Sequence, residues 1–221
     1  MKHIFPREIR GASGLTVLEA LVVLFILTIA STLVIIDFRS SQNRFALQNS
    51  VQELALNIRR VQALAFQTKE EGGVTPARYG IYINNSSSRT SYILFGDQSG
   101  VGTQGLYDSG TDLIIEQIKF PSRVGFPTGI FARLYNSSGI PCGGGASGNA
   151  VNGTGLHVTF KPPDPTVVIR RYPVDDSTCF KACIYVEGSG TGRQEVVGVS
   201  ETGLVNIYRG TDAATLCASD V

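Results

Sequence analysis

Apolar residues are distributed differently in three consecutive parts of the chain. Residues 15–36 read LTVLEALVVLFILTIASTLVII, an apolar run whose only charged residue is Glu19. In an α-helix about 22 residues extend roughly 33 Å, which is enough to cross the hydrocarbon core of a membrane. The first part is therefore predicted to be a membrane-spanning helix.

Residues 37–71 carry an apolar stripe with the period of an α-helix. Its members are spaced alternately by four and three positions: Leu47, Val51, Leu54, Ile58, Val61 and Ala65. No proline or glycine interrupts residues 15–71, so both parts are predicted to form one helix that ends at Gly72-Gly73 and Pro76. An amphipathic stripe needs a domain packed against it.

From residue 72 onward, short apolar or alternating runs lie between turn residues. Enrichment in Val, Ile, Tyr and Phe predicts strands at 79–83, 91–95, 113–120, 129–135, 156–161, 167–172, 182–187, 195–200 and 204–208. Residues 200–203 (SETG) predict a tight hairpin between the last two. The predicted class is α+β, a helix packed on an antiparallel sheet, with 72–221 as a β-rich head.

Charge and the order of segments indicate export. The 221 residues carry a formal net charge of +1, which argues against bulk electrostatic attraction to nucleic acid or anionic lipid. Lys2, Arg7 and Arg10 precede the apolar run, so the N-terminus is predicted to stay cytoplasmic. An ordinary secretory signal has its small residues after the apolar run, whereas residues 11–14 (GASG) come before it.

All four cysteines lie in the C-terminal part, at Cys142, Cys179, Cys183 and Cys217. An even number in an exported domain predicts two disulfides, and the three possible pairings stay open. Zinc is disfavoured because Cys142 and Cys217 have no close cysteine partner and no histidine flanks them.

Residues 14–19 (GLTVLE) resemble the leader junction of type IV prepilins and type II secretion pseudopilins. The resemblance implies that a prepilin peptidase cuts after Gly14, removes the leader 1–14 and methylates the new N-terminus at Leu15. Phenylalanine is the family's usual first mature residue, and leucine takes its place here. It also implies that Thr16 and Glu19 serve assembly, with Glu19 meeting the α-amino group of a neighbouring subunit and setting the stagger between helices.

Two further segments are similar to GspH/FimT-like minor pseudopilins. They are residues 51–70 (VQELALNIRRVQALAFQTKE) and the closing hairpin at 196–207 (VVGVSETGLVNI). The resemblance implies a type IV pilin fold, a single-pass location in the cytoplasmic (inner) membrane with the head exported, and assembly into a cell-surface or periplasmic filament. The partners implied are the prepilin peptidase, other pilin or pseudopilin subunits and the membrane.

Three other functions remain open at this point: a type II secretion pseudopilin, a minor pilin that binds DNA or a surface ligand at the filament tip, and a membrane-anchored domain that never polymerises. A DNA-binding patch needs several cations on one face, and near the C-terminus Arg209 is opposed by Asp212 and Asp220. The arginines are therefore predicted to be solvated.

The sequence predicts no catalytic residue, no cofactor and no metal ion. Residues 143–155 (GGGASGNAVNGTG) lack the Gly-Lys-Ser/Thr ending of a phosphate-binding loop and are predicted to be flexible, and residues 188–193 (GSGTGR) predict a turn. His157 lies on a predicted strand without an obvious nucleophile, which favours a structural role. Asp164, Asp175 and Asp176 do not have EF-hand spacing.

Overall fold

This computed structural model describes residues 16–67, 73, 75–84, 88–98, 105–136, 138–140, 142, 150–152, 155–163, 166–172, 179–188, 192–210 and 212–220. The chain forms two compact units, Met1–Gln42 and Asn43–Val221. The leader 1–14, and with it the cleavage residues Gly14 and Leu15, lies outside the described residues.

Helix α1 runs over Val17–Gln67, 51 residues, within the predicted 15–71. In the first unit the large apolar side chains that the structure describes are exposed. Within the described ranges, no helix combines the length and the apolar character that a membrane crossing requires. Residue 15 and the side chains of 33–36 lie outside the described part, and the span 15–36 stays a prediction.

In the second unit, α1 buries one face. All six members of the predicted stripe are buried, from Leu47 to Ala65, and Ala55 joins them. Leu56 and Phe66, which fall off the stripe, are exposed. The period of the sequence therefore correctly predicted which side of the helix meets the head.

The head is built from strands with one short helix at the end. The elements are β1 (Arg78–Asn84), β2 (Ser91–Asp97), β3 (Leu113–Lys119), β4 (Val124–Gly125), β5 (Ile130–Tyr135), β6 (Ala150–Asn152), β7 (Gly155–Lys161), β8 (Thr166–Tyr172), β9 (Lys181–Gly188), β10 (Gln194–Ser200), β11 (Val205–Tyr208) and α2 (Ala213–Ser219). Every predicted strand is present, and the α+β class with antiparallel pairing is confirmed.

The prediction of one sheet was wrong, because the described strands form two. One has the order β3-β2-β1-β7-β8, and the other has the order β11-β10-β9-β5-β6 with β4 also paired to β9. The split depends on pairs that are distant in sequence, such as Ile81 with Val158 and Ala132 with Ile184. Both sheets contribute side chains to the main buried cluster, which contains Phe160 and Val197 together with Leu54 of α1.

Three elements were not predicted. Strand β4 has only two residues, β6 falls within the loop predicted at 143–155, and α2 is one short helix of seven residues.

The predicted hairpin is confirmed: Val199 pairs with Val205, and Gly203 adopts a left-handed φ of 80° in the connection. Glycine suits this position because it has no Cβ to strain there.

Two disulfides fix the pairing that the sequence left open. Cys142 joins Cys179, and Cys183 joins Cys217, with Cα–Cα separations of 5.7 and 6.2 Å. The second bond attaches α2 to β9. Asp220, directly after α2, also holds this end of the chain on the head. Its backbone carbonyl oxygen accepts a hydrogen bond from the Lys181 ammonium, and its carboxylate accepts one from the Tyr208 hydroxyl.

Candidate functional site

The N-terminus of α1 is capped by its own sequence. The Thr16 hydroxyl oxygen accepts a hydrogen bond from the backbone N–H of Glu19 at 3.3 Å, and the helix begins at Val17. Threonine at the N-cap with glutamate three residues later is the sequence of a capping box. The spacing Thr-x-x-Glu signals this local role, which sequence reasoning had overlooked.

Glu19 therefore has two candidate tasks. Its carboxylate is exposed in the first turn of α1, where the positive end of the helix dipole favours a negative charge. The same exposure leaves it accessible to a cation from another molecule. The structure brings Thr16 and Glu19 together, whereas their predicted neighbours Gly14 and Leu15 lie outside the described residues.

The helix surface that follows Glu19 is apolar on every side. Large side chains at consecutive positions are about half exposed or more: Leu21, Val22, Val23, Leu24, Phe25, Ile26 and Leu27. The small polar residues of this segment bond back to the helix, as the Thr28 hydroxyl does to the Leu24 carbonyl at 2.7 Å. Its polar groups are thereby satisfied within the helix, and the outward surface is hydrocarbon.

Within the head, residues 105–107, which precede β3, donate hydrogen bonds to polar groups that are buried on the first sheet. His157 on β7 is buried, and its Nδ1 accepts from the Tyr107 N–H at 2.9 Å. Burial, helped by the positive charge of Arg170, lowers the pKa of His157 to about 3. A neutral imidazole thus attaches this segment to the strand, and the ring packs 4.7 Å from that of Tyr82.

Asp97 is the second buried polar group under this segment. Its Oδ2 accepts from the Gly105 N–H at 2.6 Å, whereas its Oδ1 has no hydrogen-bond partner among the described residues. Burial raises the pKa of this carboxyl group, and the nearby Asp112 adds to the effect. Among the residues that the structure describes, no group of histidine, cysteine, aspartate or glutamate side chains is arranged to hold a metal ion.

The arginines of α1 and of the head lie in different environments. Arg59 donates to the Val205 carbonyl at 2.8 Å, and Arg60 pairs with Glu116 at 2.5 Å. Arg193 and Arg209, by contrast, line one cavity of about 480 Å³ in the head, together with Arg44 of α1. Arg44 is distant from the two other arginines in sequence, and only the fold brings it beside them.

Glu195 is the one acidic residue among the described side chains that line this cavity. It is 7% exposed, and its Oε2 lies 3.4 Å from Arg209 Nε. This oxygen accepts no hydrogen bond from any described group, although the two charges form an ion pair. Burial raises the pKa of Glu195, and the charges of Arg209 and Arg44 oppose that rise.

Comparison with known proteins assigns no relative: the chain matches no protein-family model, no curated protein and no solved structure.

Proposed function

We propose that this protein is a structural subunit of a type IV pilus-like filament, cut by a prepilin peptidase after Gly14 and methylated at Leu15. The observation that carries the proposal is the first part of α1. There, large apolar side chains follow one another with every side of the helix exposed, directly after the capped turn that holds Glu19.

A helix that is apolar all around needs an apolar environment. The lipid bilayer supplies one before assembly, and the helices of neighbouring subunits supply one in the filament. In lipid there is little hydrophobic driving force between helices, so side-chain packing and polar contacts decide how they associate. A carboxylate in such a surface is costly without a partner, which gives Glu19 its role as a register residue.

The second unit supports the same proposal. There α1 presents one buried stripe to a head of two antiparallel sheets, and two disulfides join parts of that head. Disulfides suit an exported domain, since they persist in oxidising compartments. A spine helix packed on such a head is the arrangement that the type IV pilin fold requires.

Substitutions at Glu19 separate register from capping. Glutamine at the third helical position can still complete a capping box, whereas alanine cannot, and neither carries charge. If Glu19 sets register through its charge, Glu19→Gln and Glu19→Ala both lower filament yield about tenfold or more, while processing at Gly14 continues. The measurement is the fraction of chain in sedimented filaments from cells with the peptidase and the partner subunits.

Thr16→Val is the matched control, because it removes the capping hydroxyl and keeps the charge of Glu19. We expect it to reduce filament yield less than either Glu19 substitution. Wild-type yield with Glu19→Gln, together with a loss for Glu19→Ala and Thr16→Val, would assign Glu19 to capping and refute the register role.

A further inference from the structure

The cavity beside α1 in the head has the charge of an anion site. Its lining contains three arginines and one glutamate, a formal excess of two positive charges, and both Gln48 and Gln194 contribute amide groups. The three guanidinium groups belong to residues that are exposed, so a ligand from solvent can reach them. A guanidinium group matches phosphate oxygens with two parallel hydrogen bonds.

The backbone around the cavity leaves room for a ligand. Gly192 and Gly210 line it with left-handed φ values of 60° and 97°, and a Cβ built on either glycine would have no atom within 4 Å. The main chain on this side is therefore bare, and a ligand can approach it closely.

Glu195 adds a requirement for a hydrogen-bond donor. Its Oε2 is buried and accepts no hydrogen bond among the described residues, even though Arg209 is nearby. The ion pair with Arg209 leaves this buried acceptor without a hydrogen bond, and a hydroxyl group of a ligand in the cavity can supply one.

We propose that this cavity binds a small phosphomonoester whose organic part carries hydroxyl groups. A phosphomonoester has a charge of about −1.5 to −2 near neutral pH, which matches the charge excess of the lining. The three arginines of the lining hold the phosphate. The hydroxyl groups of the ligand reach Glu195 and the side-chain amides of Gln48 and Gln194. This binding function goes beyond the filament role and does not depend on it.

The test is calorimetric titration of the full chain in a non-ionic detergent with glycerol 3-phosphate, and with glycerol and inorganic phosphate as comparison ligands at constant ionic strength. Glycerol 3-phosphate is expected to bind more tightly than inorganic phosphate, and glycerol is expected not to bind. Equal affinity for the two phosphates would overturn the role of the hydroxyl groups, and no heat with any of the three ligands would overturn the site.

Three variants sharpen the test. Arg44→Gln should weaken glycerol 3-phosphate about tenfold or more, since a charged hydrogen bond is lost. Glu195→Gln removes a negative charge and keeps a carbonyl acceptor for the ligand hydroxyl group, so it should strengthen binding severalfold; weaker binding would contradict the role of the charge excess. Arg60→Gln is the matched control, because Arg60 lies on the same helix but does not line the cavity. Circular dichroism melting checks that each variant is folded, and equal affinity for Arg44→Gln and wild type would overturn the proposal.

Competition with glycerol 3-phosphate distinguishes a lipid headgroup and a nucleic acid from a soluble phosphomonoester as the ligand of the cavity. Mixed micelles of phosphatidic acid and the same detergent should compete with glycerol 3-phosphate if a lipid headgroup provides the phosphomonoester, and failure to compete would assign the site to a soluble ligand of the same chemistry. An oligonucleotide without terminal phosphates should bind more weakly than glycerol 3-phosphate. Tighter binding of that oligonucleotide, lost in Arg44→Gln, would replace this proposal with a phosphodiester site.

Discussion

The two parts of α1 differ in how much of their apolar surface the chain itself covers. In the second unit, Leu54 is 0% exposed, and Leu56, two positions later, is 61% exposed, because the head covers a single stripe. In the first unit, Leu24 is 64% exposed although it lies among other large apolar side chains. The second part thus finds its apolar partner within its own chain, and the proposed function supplies one for the first part from lipid and neighbouring subunits.

The largest expected effect belongs to the head and leaves the first part of α1 untouched. Replacing both Cys183 and Cys217 with alanine removes a cross-link between residues 34 positions apart. The chain-entropy model assigns a loop of this size about 4 kcal/mol of stability. Denaturant unfolding of the full chain in detergent, followed by near-ultraviolet circular dichroism, should show this loss. An unchanged midpoint would contradict the structural role of this disulfide.

The next prediction compares the substitution of leucine by alanine in the two parts of α1. Leu54→Ala should lower the free energy of unfolding of the head by about 3 kcal/mol, because it leaves a cavity in a closed core. Leu24→Ala should change it by less than about 0.5 kcal/mol, since that side chain is exposed and its removal leaves no cavity.

Leu56→Ala is the control within the amphipathic part, where the side chain is exposed, and it should resemble Leu24→Ala in head stability. Leu24→Ala should differ from both other variants in filament yield, because the proposed filament core is built from the first part. The comparison fails if Leu24→Ala destabilises the head as much as Leu54→Ala does.

The smallest effect depends on pH and concerns Asp97. Its pKa is raised in the folded protein by burial and by Asp112, and Arg78 and Arg170 oppose the rise. Stability from such a group is complete while the carboxyl is protonated and is lost as the pH rises through its folded pKa. Asp97→Asn keeps an acceptor for the Gly105 N–H and removes the titration.

The difference in unfolding free energy between Asp97→Asn and wild type should therefore grow in favour of asparagine from about pH 4 to pH 7. Denaturant unfolding at both pH values measures it. A difference that is constant with pH, or one that favours aspartate at pH 7, would show that Arg78 and Arg170 outweigh the burial of the carboxyl group.

Local patterns predicted most of the elements. The buried stripe from Leu47 to Ala65 and the strands of the head could be located from periodicity and turn residues, because both depend on neighbours in sequence. The division into two sheets could not, since the pairing of β7 with β1 and of β5 with β9 joins distant segments. Strand β4 and α2 are too short to produce a period, and the side chain of Asp212 makes no capping hydrogen bond to mark the start of α2.

The candidate sites were predictable to different degrees. Thr16 and Glu19 could be located from the junction motif, and their spacing also contains the capping box. The hairpin at 200–203 could have placed Glu195 beside Arg209, because the pairing of Val196 with Tyr208 extends to those positions at its open end. Arg44 could not have been found this way, since it reaches the cavity from α1 through the tertiary fold.

The central claim is that the apolar first part of α1 becomes the N-terminus of an assembling subunit, and the mature N-terminus tests it most directly. Intact mass and N-terminal peptide mapping should be carried out on protein from cells that contain a prepilin peptidase, with Gly14→Trp as the uncut control. The account predicts a chain that begins at N-methylated Leu15. A chain that begins at Met1, or one that begins after residue 36, would contradict it.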